Sequence, residues 1–176
     1  MALKKKNAPK KNIKKSIILE TNKGNITIEL LSKLAPMHCK RILKLSKEKY
    51  FDEVVFHRVI EGFMAQTGDG QYGSLKNGFQ VDRAGMGGSE LPDLEAEFTS
   101  EPFSRGIVGM ARSQNPNSAN SQFFIMLEDS PHLNNQYTVW GKVVKGMDVV
   151  DKIKKGDQLD NGKVDDPDFI KTIKNV

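Results

Sequence analysis

The chain has 176 residues, of which 38% are hydrophobic and 28% are charged. This length and composition predict a soluble globular protein with one well-buried core, and they argue against a disordered chain. No apolar run approaches the roughly 20 residues of a membrane-spanning helix. The single cysteine, Cys39, excludes an internal disulfide framework and a CxxC site. Because such cysteine usage suits a reducing compartment, we expect a cytoplasmic protein.

The net charge of +5 is concentrated at the start of the chain. Residues 1–15 contain seven lysines and no acidic residue, so the rest of the chain carries a charge of 5 minus 7, or −2. Because this segment has few apolar residues, we predict a disordered Lys-rich tail over residues 1–15 and one domain over residues 16–176. Two interpretations of the tail remain open: a solubilising arm, or weak electrostatic contact with a polyanion such as RNA or an acidic membrane.

The first elements after the tail form a predicted hairpin. The runs SIILET and NITIEL are rich in β-branched residues that alternate with polar ones, and they flank a Gly-containing turn at residues 22–24. Further short β-type runs are separated by loops rich in Gly, Asn, Pro and Ser. They read VVFHRVI, GFMAQTG, GIVGMAR, SQFFIML, TVWGKVV and, last, DFIKTI. The domain is therefore predicted to be mainly β.

Two segments have helical periodicity instead. The first begins at Pro36, and one face of it carries a residue at every third or fourth position: Cys39, Ile42, Leu43 and Ser46. The second has Met147, Val150 and Ile153 at helical spacing, with a predicted stop at Gly156. Many short strands with two helices and no βαβ alternation favour a closed antiparallel barrel or a sandwich.

Several familiar chemistries lack their residues. The three histidines are far apart in sequence: His38, His57 and His132. Because no HExxH or paired-cysteine spacing accompanies them, we expect no metal site. The glycines of residues 85–90 resemble a phosphate loop, but Pro92 interrupts any helix that could follow, so we interpret this stretch as a turn. Cys39 lies within the first predicted helix and is expected in the core.

Three blocks of sequence, in order, resemble the cyclophilins. Residues 56–69 read FHRVIEGFMAQTGD, which is similar to the signature of that family. Residues 109–125 read GMARSQNPNSANSQFFI, and residues 133–143 read LNNQYTVWGKV. Both resemble further family segments, and the likeness extends over at least residues 16–153. The chain is identified as a cyclophilin of bacterial type.

The resemblance implies a closed eight-stranded antiparallel β-barrel capped by two α-helices. It also implies a monomeric peptidyl-prolyl cis-trans isomerase that acts on proline-containing peptides and unfolded proteins, assists folding, and needs no cofactor, metal or covalent intermediate. Residues at matching positions would form the catalytic set: Arg58, Gln66 and Phe63. Others would bind the substrate: Met64, Ala111, Gln122, Phe124, Leu133, His132 and Tyr137.

These residue types suit the reaction. Amide resonance gives an Xaa-Pro bond a rotational barrier of about 18 to 20 kcal/mol. At the half-rotated state the prolyl nitrogen regains a lone pair, to which the Arg58 guanidinium could donate a hydrogen bond. Gln66 could orient Arg58. Since neighbouring strand residues face opposite sides, one of Phe123 and Phe124 should lie in the core and the other in the proline pocket.

The sequence departs from many family members at three places. His132 stands where eukaryotic members often have tryptophan, and Tyr137 stands where many have histidine. Losing the indole removes apolar contact and an N–H donor, so we expect cyclosporin to bind weakly. An extra residue within residues 113–115 should reshape a loop beside the groove. Trp140 stands where the family usually has phenylalanine, and we expect this side chain to have a structural packing role.

Two other functions remain as alternatives. A proline-motif binding module with incidental catalysis would need the pocket but not Arg58, so the presence of Arg58 favours an enzyme. A polyanion-binding protein would have a basic stripe on its folded body. The confinement of positive charge to residues 1–15 argues against that alternative.

Overall fold

The computed structural model describes residues 15–176, so the predicted tail lies outside it except for Lys15. The described chain forms nine strands and two α-helices. They are β1 (Ser16–Thr21), β2 (Gly24–Leu30), α1 (Pro36–Lys47), β3 (Val54–Val55), β4 (Arg58–Ile60), β5 (Met64–Thr67), β6 (Ile107–Met110), β7 (Phe123–Met126), β8 (Val139–Lys145), α2 (Met147–Asp151) and β9 (Phe169–Asn175). Short 3-10 helices occupy Pro131–Leu133 and Gln158–Asp160. The predicted hairpin, short strands and first helix are all confirmed.

The strands form one curled antiparallel sheet in the order β3-β9-β1-β2-β8-β6-β7-β5-β4. The prediction of a closed eight-stranded barrel was therefore wrong in strand number and in closure. The run VVFHRVI divides into two short strands, which lie at opposite edges of the sheet. Between them, Phe56 N–H donates to Asp168 O at 2.8 Å and His57 O accepts from Val164 N–H at 3.1 Å. The backbone at this junction is thus bonded to residues 164–168 instead of continuing as one strand.

The helices cover the sheet, but the second is shorter than its periodicity predicted. α1 packs on β8 and β9 and buries Cys39, Ile42 and Leu45. α2 ends at Asp151, five residues before the predicted stop at Gly156. The N–H groups of Lys152 and Ile153 bond to carbonyls three residues back, which tightens and ends the last turn.

The buried apolar residues fall into two clusters on opposite faces of the sheet. The interior cluster includes Phe51, Phe123 and Trp140, whose rings meet edge to face at Phe123. The groove cluster is formed by Met64, Phe103, Ile107, Phe124, Met126, Leu133 and Val139. The prediction that Phe123 and Phe124 face opposite sides is confirmed. Trp140 is fully buried, as expected for a packing residue.

Within residues 15–176, no helix has the length and apolar character needed to span a membrane. The same residues contain no group of three or more His, Cys, Asp or Glu side chains that could hold a metal ion.

Candidate active site

One row of side chains crosses the outer face of the sheet at the groove. Arg58 on β4 pairs in register with Gln66 on β5, which pairs with Phe124 on β7, which pairs with Gly109 on β6. Cross-strand partners on one face are near neighbours, so the register itself aligns a cation, an amide and an aromatic ring. A Cβ at Gly109 would lie 2.6 Å from the Phe103 ring and 2.7 Å from the Phe124 ring. Glycine at this position therefore makes room for both rings.

Apolar side chains form the floor of the groove beside this row. Met64 and Phe124 are almost fully buried, and Leu133 comes from the 3-10 helix at Pro131–Leu133. The Tyr137 ring meets Phe124 edge to face, with ring centroids 5.6 Å apart. Such aromatic contacts fix ring orientation as well as burying surface. The floor is thus a rigid apolar slot.

The groove has a volume of about 600 Å³. The residues predicted to form the site line it, except for two: Gln122 and His132. Gln122 lines an adjoining cavity of about 200 Å³, which shares Gln66 and Ala111 with the groove. His132 is exposed and packs its ring on that of Phe63, with centroids 5.8 Å apart. Among the residues of the described chain that line the groove there is no Ser, Thr or Cys, so this lining contains no aliphatic hydroxyl and no thiol.

Arg58 is held at the polar edge of the groove by three hydrogen bonds. Its Nη1 donates to Gln66 Oε1 at 3.1 Å, its Nε donates to the backbone oxygen of Asn161 at 3.0 Å, and its Nη2 donates to Asn161 Oδ1 at 3.0 Å. Burial lowers the pKa of the guanidinium, while Tyr137 opposes that shift. An arginine nevertheless stays charged at neutral pH. The site therefore presents a fixed cation above an apolar slot.

A chain of hydrogen bonds extends from Gln66 into the loop that forms one wall. Because Arg58 can only donate, Gln66 must turn its oxygen toward it, and its Nε2 then donates to Gln122 Oε1 at 3.1 Å. Gln122 Nε2 donates to the carbonyls of Gly85 and Gly87 at 2.9 and 2.8 Å. The N–H groups of these two glycines donate to the buried carboxylate of Asp69. Each amide orientation is thereby fixed.

His57 lies beside Arg58 under the groove. Its side chain lines the cavity but is only 6% exposed, and neither ring nitrogen has a hydrogen-bond partner among residues 15–176. Burial lowers its pKa from 6.5 to about 4, and the nearby Arg58 acts in the same direction against Asp69. The imidazole is therefore neutral at physiological pH.

Two residues of the site were missed from the sequence. Asn161 was given no role, although the Asn-Gly pair at residues 161–162 is a turn signal, because nothing local relates that turn to Arg58. Arg112 lay inside a matching block without an assignment. Its guanidinium stacks over the Tyr137 ring at 4.6 Å and donates to the carbonyls of Ser113 and Gln136. It therefore fixes the loop that contains the extra residue against a wall of the pocket.

Comparison with known proteins gives one consistent family. Residues 16–175 match the family described as cyclophilin type peptidyl-prolyl cis-trans isomerase/CLD. A probable peptidyl-prolyl cis-trans isomerase of Brucella suis is 60% identical over 155 residues, which cover 88% of this chain and 79% of that protein. The peptidyl-prolyl cis-trans isomerase-like 3 of Gallus gallus is 39% identical over 140 residues, 80% of this chain and 82% of that one.

A solved structure is similar as well. It is a cyclophilin type peptidyl-prolyl cis-trans isomerase of Cryptosporidium parvum, crystallised in the presence of the dipeptide Ala-Pro. It aligns with a TM-score of 0.76 at 30% identity and covers 90% of this chain and 96% of that one. Given this family match over residues 16–175, the chain belongs to the cyclophilin-type peptidyl-prolyl cis-trans isomerases and is an isomerase of Xaa-Pro peptide bonds.

Proposed function

We propose that Arg58 lowers the rotational barrier of a bound Xaa-Pro bond by donating a hydrogen bond to the prolyl nitrogen of the twisted state. The observation that carries this proposal is the fixed position of its guanidinium, which three acceptors hold beside the apolar slot. A planar amide nitrogen is a poor acceptor, whereas the twisted one has a lone pair. The donor therefore stabilises the transition state more than the ground state, which is the condition for catalysis.

The apolar floor would hold the pyrrolidine ring. Phe63, Met64, Phe124 and Leu133 all line the groove, and an apolar slot of this kind excludes water from the reacting bond. With the ring fixed, rotation must move the residue before proline. Ala111, Gln122 and Tyr137 border the path along which that residue would swing.

Proline-containing segments of unfolded proteins are the proposed substrates. The Cryptosporidium parvum relative crystallised in the presence of Ala-Pro supports a small proline ligand for this groove. We further propose that residues 16–176 act as a monomeric domain in the cytoplasm, and that residues 1–15 contribute solubility or weak contact with a polyanion. Since the imidazole of His132 has less apolar area than an indole and has no N–H at the indole position, cyclosporin should bind weakly.

The experiment is the isomerisation of a short Xaa-Pro peptide, followed in a protease-coupled assay. Arg58→Ala should lower kcat/KM by about 10²- to 10³-fold, the usual effect of removing one preorganised donor. Arg83→Ala is the matched control, because Arg83 stacks on Tyr72 outside the groove. That variant should keep the parent rate.

The outcome also decides between an enzyme and a binding module. If the parent protein bound the peptide without accelerating its isomerisation, the proline-motif binding module would replace the enzyme. If Arg58→Ala folded normally and kept the parent kcat/KM, the role proposed for Arg58 would be wrong.

A further inference from the structure

A tight turn at residues 160–163 contacts the Arg58 guanidinium from the side opposite Gln66. Residues 160–163 form a type I′ turn, in which Lys163 N–H donates to Asp160 O at 3.0 Å. Asn161 has φ 53° and ψ 32°, and Gly162 has φ 78°. Both central residues of this turn type need positive φ, which asparagine and glycine tolerate best. The Asn-Gly pair thus specifies the turn.

The turn is attached rigidly to the strand that carries Arg58. Val59 N–H donates to Gly162 O at 2.9 Å, and Val59 O accepts from Gly156 N–H at 2.8 Å. A Cβ at residue 162 would collide with the Ile60 side chain, so glycine allows this close approach. Both sides of Val59 are therefore bonded to the loop, and the distance from Asn161 to Arg58 is set by backbone contacts.

Asn161 offers Arg58 two acceptors at once. Its backbone oxygen and its Oδ1 each lie 3.0 Å from a different guanidinium nitrogen. The third acceptor is Gln66 Oε1. All three are uncharged, and no carboxylate is among the Arg58 hydrogen-bond partners or ion pairs in residues 15–176. A carboxylate in place of the Asn161 amide would bind the guanidinium more strongly but would compensate part of its charge.

We infer that Asn161 is a positioning residue for the reaction, which fixes Arg58 by two neutral oxygens and so leaves its positive charge available to the twisted Xaa-Pro bond. Held in this way, the guanidinium needs no reorganisation when the lone pair develops. The acceptors do not compete as counter-ions for its charge. The inference rests on the role proposed above for Arg58.

Asn161→Asp tests the charge with little change of shape, because aspartate also tolerates positive φ. At neutral pH, kcat/KM should fall by roughly tenfold or more while the Kd of the peptide changes by less than about twofold, since only transition-state binding is weakened. The matched control is Asn135→Asp, because Asn135 is an exposed asparagine at φ 60° that does not line the groove. The control variant should keep the parent kcat/KM.

The pH profile separates positioning from a structural role. As pH falls through the pKa of the introduced carboxyl, ordinarily about 3.9 and held lower by Arg58, the ratio of variant to parent kcat/KM should rise toward one. NMR exchange measures the isomerisation rates of the variant and of the parent without a protease. A ratio that stays constant with pH, or a variant as active as the parent at neutral pH, would overturn the inference.

The double variant distinguishes this inference from the proposed role of Arg58. If Arg58→Ala loses activity and Asn161→Asp adds no further loss in that background, Asn161 acts through Arg58. If Arg58→Ala loses activity but Asn161→Asp alone does not, only the inference about Asn161 fails. If Arg58→Ala keeps full activity, the role proposed for Arg58 is wrong, and the inference about Asn161 falls with it.

Discussion

Phe123 and Phe124 are neighbours on one strand, yet they belong to different parts of the molecule. Phe123 is fully enclosed among Phe51 and Trp140 in the interior cluster, whereas Phe124 lies in the groove cluster under the open cavity. Along β4 and β5 the same alternation places Val59 and Ala65 inside. Successive positions of a strand thus alternate between the interior cluster and the groove cluster.

The two faces also differ in polarity. The interior cluster is apolar, so its contribution is the burial of surface. The groove face combines an apolar floor with a polar edge, where Arg58, Gln66 and Gln122 form a connected series of hydrogen bonds. The proposed roles, binding of proline and lowering of the barrier, thus fall on separate parts of one groove.

The largest effect is expected from Phe123→Ala, which removes a buried ring from the interior cluster. The cavity left in a closed core should lower the free energy of unfolding by about 3 to 5 kcal/mol. Urea unfolding measures this loss. At a temperature where the variant is still folded, its kcat/KM per folded molecule should match the parent value. A lower kcat/KM in fully folded protein would show that the two faces are not separable.

His57 is almost fully buried beside the groove, and its burial predicts a pH dependence of stability. Its pKa is about 4 in the folded protein and ordinarily 6.5, so the unfolded chain binds more protons between these values. The free energy of unfolding should therefore fall as pH is lowered from about 6.5 to 4, by about 3 kcal/mol for the full shift.

Urea unfolding at pH 7 and pH 4.5 checks this for the parent and for His57→Gln. The pKa of His38 is also lowered by burial, and this residue is present in both proteins, so the difference between them isolates His57. The variant should lose less stability on acidification. An equal loss in both proteins would show that His57 does not titrate in this way.

A matched pair of leucine substitutions separates the roles of the two neighbouring rings. Phe123→Leu and Phe124→Leu should each cost about 1 kcal/mol or slightly more in stability, because both remove a ring and keep an apolar side chain. Only Phe124→Leu should lower kcat/KM, by roughly three- to tenfold, through loss of aromatic contact with the proline ring. Isomerisation assays with a peptide on the two folded variants measure the two kcat/KM values. Equal kinetic losses would contradict the division of the strand.

The smallest effect is expected at the rim of the groove. His132→Trp replaces the imidazole beside Phe63 with a larger ring that carries an indole N–H donor, so cyclosporin should bind about tenfold more tightly. Because His132 does not line the groove, kcat/KM for a short peptide should change by less than about twofold. Fluorescence titration measures the affinity. An unchanged cyclosporin Kd would remove His132 as the reason for weak binding.

Local patterns predicted most of the fold. The hairpin at Ser16–Leu30, the strand at Phe169–Asn175 and the start of α1 at Pro36 follow from alternation, turn residues and helical spacing. That the sheet stays open did not follow from the sequence, because the break at residues 56–57 depends on hydrogen bonds to residues 164–168. The predicted end of α2 was also wrong, because the buried Ile153 continues the apolar pattern beyond the last helical residue.

The candidate site was predictable only as far as its motifs extend. Arg58, Gln66 and Phe124 lie in matching blocks, and the structure brings them into one row. Asn161 is 103 positions from Arg58 in the chain, so its two hydrogen bonds to the guanidinium required the three-dimensional structure.

In the proposed mechanism, the apolar floor binds proline while Arg58 lowers the rotational barrier of the Xaa-Pro bond. NMR exchange on a saturating Xaa-Pro peptide gives both the Kd and the rate of isomerisation in the bound state. For Arg58→Ala, we predict a bound-state rate lower by about 10²- to 10³-fold with a Kd changed by less than about threefold. A Kd raised by that factor with an unchanged bound-state rate would contradict the claim.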